Sequence, residues 1–247
     1  MINYKRRFWI ISIVGLIFVY FLTILSINHI SPINYIINSV QNINKHSSDL
    51  PQNIKLEAKK NNGKTVVIDP GHGGYDSGSI GIMGSIEKDT TLSISLKLGN
   101  ILKNKGFNVV YTRESDKVTW PSDNKEDLAA RAAIANDASA DLFISLHLNN
   151  FKMEEVKGTE TYYNKTSKES KEIAELIQNQ IVNNVKFKDR GAQPGDYSVL
   201  RKVTAPAALI ELGYISNKSE EALLNNIGYQ NKISVAIARA IYEYLNK

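Results

Sequence analysis

The chain has 247 residues, no cysteine and a formal net charge of +5. Its length suits one substantial domain with appendages, and the lack of cysteine excludes thiol nucleophiles, thiolate metal sites and disulfides. Residues 1–63 carry seven basic and two acidic residues, whereas residues 64–247 carry equal numbers of each. The positive balance therefore belongs to the N-terminal part, and we expect no nucleic acid among the partners of the remainder.

An uncharged apolar segment, FWIISIVGLIFVYFLTILSI, occupies residues 8–27. A helix of this length spans the roughly 30 Å hydrocarbon core of a bilayer. Lys5, Arg6 and Arg7 precede it, and basic flanks stay in the cytoplasm. We therefore expect a single-pass protein of the cell membrane whose remaining chain lies on the extracytoplasmic side. The segment exceeds the apolar region of a cleaved signal peptide and SINHIS is a poor cleavage site, which favours an uncleaved signal anchor over residues 1–27.

Residues 28–63 are rich in Asn, Ser, Lys and Ile without a long periodic pattern, which is typical of a tether. In residues 64–247, short β-branched runs alternate with amphipathic segments. The patterns predict strands at 64–70, 107–113, 141–149, 158–164, 197–201 and 207–214, and helices at 86–106, 125–138, 168–183 and within 217–246. This order predicts an α/β fold: a three-layer sandwich in which helices flank a mixed, largely parallel sheet of about six strands.

Two histidines of the predicted domain, His72 and His147, stand at the ends of predicted strands. In α/β folds, ligands bind beyond the carboxyl ends of the strands, so we expect both imidazoles at one site. Neutral imidazole is a common metal ligand. A catalytic zinc site with two imidazoles usually adds a carboxylate and leaves one position open to water. On ligand identity alone, the same set also suits iron(II).

Several carboxylates are candidates for the third ligand. Asp69 and Asp76 flank His72. Glu87 begins a predicted helix, and Glu211 lies in the apolar run AALIELGY. A carboxylate in such a run needs a partner, such as a metal or an arginine, and a buried salt bridge is the purely structural interpretation of Glu211. The residues alone indicate Glu211 as a member of the site but do not choose among Glu87, Asp69 and Asp76.

Two other chemistries have weaker support in the sequence. Ser145 would share a strand face with His147, but the chain has no G-x-S-x-G nucleophile elbow. The GHGG turn at 71–74 lacks the Gly-Lys-Ser/Thr sequence of a phosphate-binding loop. We therefore expect neither a serine triad nor a nucleotide site.

Six segments, taken together and in order, resemble the zinc-dependent N-acetylmuramoyl-L-alanine amidases of the AmiC/LytC type. They are VVIDPGHGGYDSGSIG, EKDTTLSISLKLGNILKNKGFNVVYTR, LAARAAIAND, DLFISLHLN, GTETYY and PAALIELGYISN, within residues 65–246. The resemblance implies zinc ligands at His72, Glu87 and His147, and so separates Glu87 from the two aspartates. It also implies a catalytic glutamate at Glu211.

The implied reaction is hydrolysis of the amide bond between N-acetylmuramic acid and L-alanine in peptidoglycan. Zn²⁺ would polarise the scissile carbonyl, while Glu211 would take a proton from water and deliver one to the leaving nitrogen. Asn149 is expected to orient substrate or a ligand, with strand-end capping as the alternative. Arg113 and Arg131, in family-like segments, are interpreted as buried ion-pair partners rather than catalytic groups.

A single amidase domain behind a membrane anchor looks most like the sporulation and germination branch of this family, the CwlD-like amidases. Those enzymes act on spore-cortex peptidoglycan during muramic-δ-lactam formation, sometimes with a partner protein. The spacing from GTETYY to IELGY leaves little room for the occluding helix of some members, so we expect control by location, metal loading or a regulatory partner protein. The alternatives are a non-catalytic peptidoglycan-binding domain and a zinc peptidase or deacetylase acting on another cell-wall bond.

Overall fold

The computed structural model describes residues 63–185 and 187–247. In chain order its elements are β1 (Thr65–Pro70), α1 (Glu87–Asn104), β2 (Asn108–Tyr111), α2 (Asn124–Asp137), β3 (Leu142–Asn149), β4 (Thr159–Tyr163), α3 (Lys168–Val185), β5 (Asp189–Pro194), α4 (Ser198–Lys202), β6 (Ala207–Tyr214), α5 (Lys218–Leu224) and α6 (Ile227–Leu245). No helix in these two ranges is long and apolar enough to cross a bilayer. The predicted anchor at 8–27 lies outside them, as does all of the predicted tether except its last residue.

The six strands form one sheet in the order β2-β1-β3-β6-β4-β5. β1 pairs in parallel with both β2 and β3, and β3 pairs in parallel with β6. β4 runs antiparallel to β6 and carries β5 in parallel at the edge. The sheet is therefore mixed and largely parallel, as predicted, and the carboxyl ends of β1, β3 and β6 meet at one edge.

Helices cover both faces of the sheet because side chains of successive strand residues point to opposite sides. On one face, Ile68 and Ile144 belong to a core cluster completed by α1, α3 and α6. On the other, Val67 and Phe143 belong to a cluster completed by α2 and α4. Full burial of each such side chain contributes roughly 1.5–3 kcal/mol. This confirms the predicted sandwich, whose central strands are held from both sides.

The predicted strand at 197–201 is wrong, because Ser198–Lys202 forms the short helix α4. Its neighbouring apolar residues Val199 and Leu200 are both buried in the cluster with α2, whereas a strand would point them to opposite faces. The additional strand is β5, Asp189–Pro194, with the sequence DRGAQP. As an edge strand it pairs on one side only and has no alternating apolar residues, so its pattern does not predict a strand.

Candidate metal centre

The turn after β1 presents His72 in an unusual backbone conformation. Its φ is 61°, a left-handed value that residues other than glycine rarely adopt. Nη2 of Arg131 donates to the carbonyl oxygen of His72 at 2.8 Å, and Nη2 of Arg113 donates to the carbonyl oxygen of Gly71 at 2.8 Å. These two buried guanidinium groups hold the turn in place, which allows the strained conformation to persist.

Three side chains predicted to be zinc ligands converge at this edge of the sheet. Nε2 of His72 lies 3.0 Å from Oε1 of Glu87. Nδ1 of His147 lies 3.3 Å from the same oxygen and 3.2 Å from Nε2 of His72. The three ligand atoms all lie within 4.8 Å of one another. Two imidazoles and one carboxylate facing a common point match the donor set of a catalytic zinc ion, so these residues fit the metal.

Asp76 orients the first of these ligands. Its Oδ2 lies 2.7 Å from Nδ1 of His72, which leaves Nε2 directed toward Glu87. Burial opposes a charge on His72, but the hydrogen bond and charge of Glu87, together with those of Asp76, raise the pKa of the imidazole to about 9. The surroundings therefore favour positive charge beside Glu87.

Glu87, the first residue of α1, is buried and strongly hydrogen bonded. The backbone N–H of Leu148 donates to its Oε1 and that of Ser79 to its Oε2, each at 2.9 Å. Burial would raise its pKa, but hydrogen bonds from His147 and His72 lower it far below the ordinary value. The carboxylate is thus kept ionised and fixed in place, as a metal ligand requires.

Glu211 lies beside the ligands on the central strand β6. It is the register partner of His147 on β3 and of Glu160 on β4. Its Oε2 is buried and has no hydrogen-bond partner among the described residues. Burial, together with the negative charges of Glu87 and Glu160, raises the pKa of Glu211 to about 8. A carboxyl group that titrates near neutral pH is suited to both accepting and donating a proton.

Asn149 contacts Glu160, the register partner of Glu211 on β4. Its Nδ2 donates to Oε1 of the buried Glu160, which also accepts hydrogen bonds from Oη of Tyr214 at 3.1 Å and from Nε2 of Gln193 at 2.8 Å. The contact of Asn149 with substrate stays a prediction. Sequence patterns did not single out Glu160, whose partners come from three separate strands.

A cavity of about 200 Å³ opens beside the ligands. Its lining residues are Asp69, His72, Asp76, Asn124, Asp127, Leu128, Arg131, His147, Tyr197, Ser198, Val199, Leu209 and Glu211. The wall formed by residues 197–199 belongs to the stretch that was predicted as a strand. The sequence therefore did not indicate that Tyr197 and Ser198 lie beside the site.

Asp69, one of the alternative carboxylates, is an internal anchor and not a member of the ligand cluster. Its Oδ1 accepts from Thr112 and Arg131 at 2.6 and 2.8 Å, and its Oδ2 accepts from Ser145 at 2.7 Å. Ser145 is fully buried, so its hydroxyl has no route to a substrate. Arg131 also forms an ion pair with Asp127. These contacts give both Asp69 and Arg131 structural roles.

Comparison with known proteins agrees with the amidase resemblance of the sequence. The family model described as N-acetylmuramoyl-L-alanine amidase matches residues 66–243. The chain is 36% identical over 194 residues to the germination-specific N-acetylmuramoyl-L-alanine amidase of Bacillus subtilis (strain 168), an alignment that covers 75% of this chain and 81% of that protein.

Two solved structures extend the likeness to the fold. The N-acetylmuramoyl-L-alanine amidase of Clostridium difficile 630 is 39% identical with a TM-score of 0.70, covering 75% of this chain and 98% of that one. The CwlD amidase of Clostridioides difficile, solved in complex with the GerS lipoprotein, is 36% identical with a TM-score of 0.70, covering 74% of this chain and 98% of that one.

Proposed function

Because the chain belongs to the N-acetylmuramoyl-L-alanine amidase family and is a peptidoglycan amidase, we propose that it cleaves its substrate with one zinc ion. The single observation that carries the proposal is the convergence of His72, Glu87 and His147 on a common point. When bound there, Zn²⁺ supplies Lewis-acid polarisation of the scissile carbonyl and lowers the pKa of water. Asp76 and the N–H groups of Ser79 and Leu148 keep the ligands oriented.

Glu211 is the proton-transfer residue of this mechanism. Its unpartnered Oε2 and its position opposite His147 support that role. The positive charge that a bound ion would place beside Glu211 favours its ionised form, because an opposite charge lowers the pKa of a carboxyl group. It then accepts a proton from the attacking water and delivers one to the nitrogen of L-alanine.

The bond changes follow from that proton transfer. The oxygen of water joins the lactyl carbonyl carbon of N-acetylmuramic acid, and the carbon–nitrogen bond to L-alanine breaks. The products are a lactyl carboxylate on the glycan and a stem peptide with a free alanine amino group. The cavity beside His72 and Glu211 is the proposed position of the scissile amide.

The cellular role is also part of the proposal. The apolar segment 8–27 and its basic flank support a single-pass membrane anchor with the catalytic domain on the extracytoplasmic side. The likeness to a germination-specific amidase supports action on spore-cortex peptidoglycan during muramic-δ-lactam formation. The likeness to an amidase solved with the GerS lipoprotein supports a regulatory partner protein.

Digestion of purified peptidoglycan tests the chemistry. The full-length protein is incubated with peptidoglycan in the presence of Zn²⁺, after treatment with a chelator, and after Zn²⁺ is restored, and the products are identified by mass spectrometry. We expect free stem peptides beginning with L-alanine in the first and third reactions only. Cleaved peptide–peptide bonds, or deacetylated glycan with intact lactyl amides, would contradict the proposed bond specificity.

A further inference from the structure

The metal ligand Glu87 is hydrogen bonded to Ser79, at the start of the segment that precedes it in the chain. Its backbone N–H donates to the carbonyl oxygen of Ser79 at 3.0 Å, and its Oε2 accepts the N–H of Ser79 at 2.9 Å. Just inside this closure, Ile80 and Ile86 form an isolated β-bridge. Residues 79–86, the ligand loop, therefore lead directly into Glu87, and the first residue of the loop bonds both the backbone and the carboxylate of Glu87.

Apolar packing does little to hold the ligand loop. Three of its four large apolar side chains are substantially exposed, Ile80 by 64%, Ile82 by 47% and Met83 by 49%, and the fourth, Ile86, is half-buried. Because burial of apolar surface is what stabilises a hydrophobic contact, such exposed side chains contribute little to the position of the loop. The loop must be held by polar contacts.

Glu221 on α5 provides those contacts. Its side chain is buried, with an exposed fraction of 0%. Oε2 accepts the N–H of Met83 at 2.8 Å, and Oε1 accepts the N–H of Ser85 at 3.0 Å. Burial would raise the pKa of Glu221, but hydrogen bonds from Ser85 and Met83 hold it below its ordinary value. The carboxylate is therefore charged, and its hydrogen bonds are of the stronger, charge-assisted kind.

The loop and α5 are also matched in shape. A Cβ atom on Gly81 would lie 2.2 Å from Oε1 of Glu221, so only glycine lets the carboxylate approach this closely. At the end of α5, Nδ2 of Asn225 donates to the hydroxyl of Ser85. The ligand loop is thus fitted to α5 by a glycine, a carboxylate and an amide.

We propose that Glu221 is a positioning residue for the metal site: by fixing the ligand loop on α5, it sets where Glu87 presents its carboxylate. The inference rests on the proposed zinc site. Residues that orient metal ligands typically change metal affinity by about 10–100-fold when they are replaced. A purely structural glutamate would instead lower the stability of the fold and leave the affinity for Zn²⁺ unchanged.

The test is a titration of the full-length protein with Zn²⁺ in competition with a chromophoric chelator. Glu221→Gln keeps the size of the side chain but places an amide NH₂ against a backbone N–H, so we expect roughly tenfold weaker Zn²⁺ binding. Glu220→Gln is the matched control on the same helix. Glu220 also accepts two backbone N–H groups, from Gly158 at 2.8 Å and Tyr214 at 2.7 Å, neither of them in the ligand loop. The control should bind Zn²⁺ as the wild type does.

The variant Gly81→Ala tests the same contact without changing Glu221. The added methyl group displaces Glu221, and we expect a similar, roughly tenfold loss of Zn²⁺ affinity. Hydrogen exchange on the chelator-treated proteins is a readout independent of activity. The amides of Met83 and Ser85 should exchange at least about tenfold faster in Glu221→Gln than in the wild type or in the Glu220 control.

The outcomes distinguish failure of the positioning role of Glu221 from failure of the zinc site. Wild-type Zn²⁺ affinity in both Glu221→Gln and Gly81→Ala would overturn the positioning role of Glu221. If Glu221→Gln does not fold, the titration of Gly81→Ala decides. Failure of the wild-type protein itself to bind Zn²⁺ would refute the zinc site, and with it the proposed function.

Discussion

His147 on β3 and Glu211 on β6 are register partners in neighbouring parallel strands. Adjacent strands lie about 4.8 Å apart, and side chains at paired positions share a face of the sheet. The separation between a metal ligand and the proposed proton-transfer residue is therefore set by the hydrogen bonding of the sheet and by a core packed on both faces. The two side chains can be changed separately, which allows their roles to be distinguished.

Glu211→Gln is expected to retain Zn²⁺ and to lose turnover by about 10²–10⁴-fold, the usual contribution of a general acid–base group. His147→Ala is expected to lose both, because it removes a ligand. Metal content of the purified variants and release of stem peptides from peptidoglycan measure the two properties. A near-normal rate for Glu211→Gln would show that another group transfers the proton.

The raised pKa of Glu211 predicts a pH-dependent difference in stability. The pKa rises from 4.5 to about 8 on folding, so between these values the folded chelator-treated protein holds a proton that the unfolded chain releases. The wild type should therefore lose stability relative to Glu211→Gln as the pH rises from about 4.5 to about 8, with no further divergence above that range. Urea unfolding of both proteins across this range checks the sign, and parallel curves would contradict it.

Arg131→Lys should destabilise the fold and weaken the metal site, although it conserves charge. The guanidinium simultaneously contacts Asp69, Asp127 and the carbonyl oxygen of His72, which a single ammonium cannot match. We expect a loss of about 1–3 kcal/mol in the free energy of unfolding, because buried acceptors lose their donors, and roughly tenfold weaker Zn²⁺ binding. Arg239→Lys is the control. Arg239 donates a hydrogen bond to the side chain of Asn184 at the surface, so this variant should change neither the stability nor the Zn²⁺ affinity appreciably.

Ser145→Ala distinguishes an internal hydrogen bond from a nucleophile. The fully buried hydroxyl donates to Asp69 at 2.7 Å, so its removal should cost about 1–3 kcal/mol of stability by leaving that carboxylate short of a partner. Turnover should fall by less than tenfold when measured well below the unfolding temperature. A loss as large as that of Glu211→Gln would assign Ser145 a chemical role that its burial argues against.

The features predictable from sequence are those with a local pattern. Pro70 ends an apolar run, and strands buried on both faces appear as continuous apolar segments, so the strand ends that carry His72 and His147 could be located. Glu87 could not be separated from Asp69 and Asp76 in this way. Its position depends on a backbone closure with Ser79 that no periodicity encodes, and only the family resemblance singled it out.

The features that were missed depend on partners far along the chain. β5 has no apolar alternation, and its strand conformation comes from pairing with β4. Glu160 gains its importance from lying opposite Glu211, and Glu221 contacts Met83 across a separation of 138 residues. Such contacts follow from the topology of the sheet and from the packing of helices, neither of which is visible in a short window of sequence.

The direction of β1 has a further consequence for how the enzyme meets its substrate. The chain enters the described domain at Gly63, at the amino end of β1, whereas His72 follows the carboxyl end of the same six-residue strand. At about 3.3 Å per residue, Gly63 and His72 are separated by about 20 Å, roughly the length of that strand. Residue 63 and the zinc ligand His72 therefore lie at opposite ends of β1, so the cavity beside the ligands is reached from the end of the sheet opposite to the one at which β1 begins.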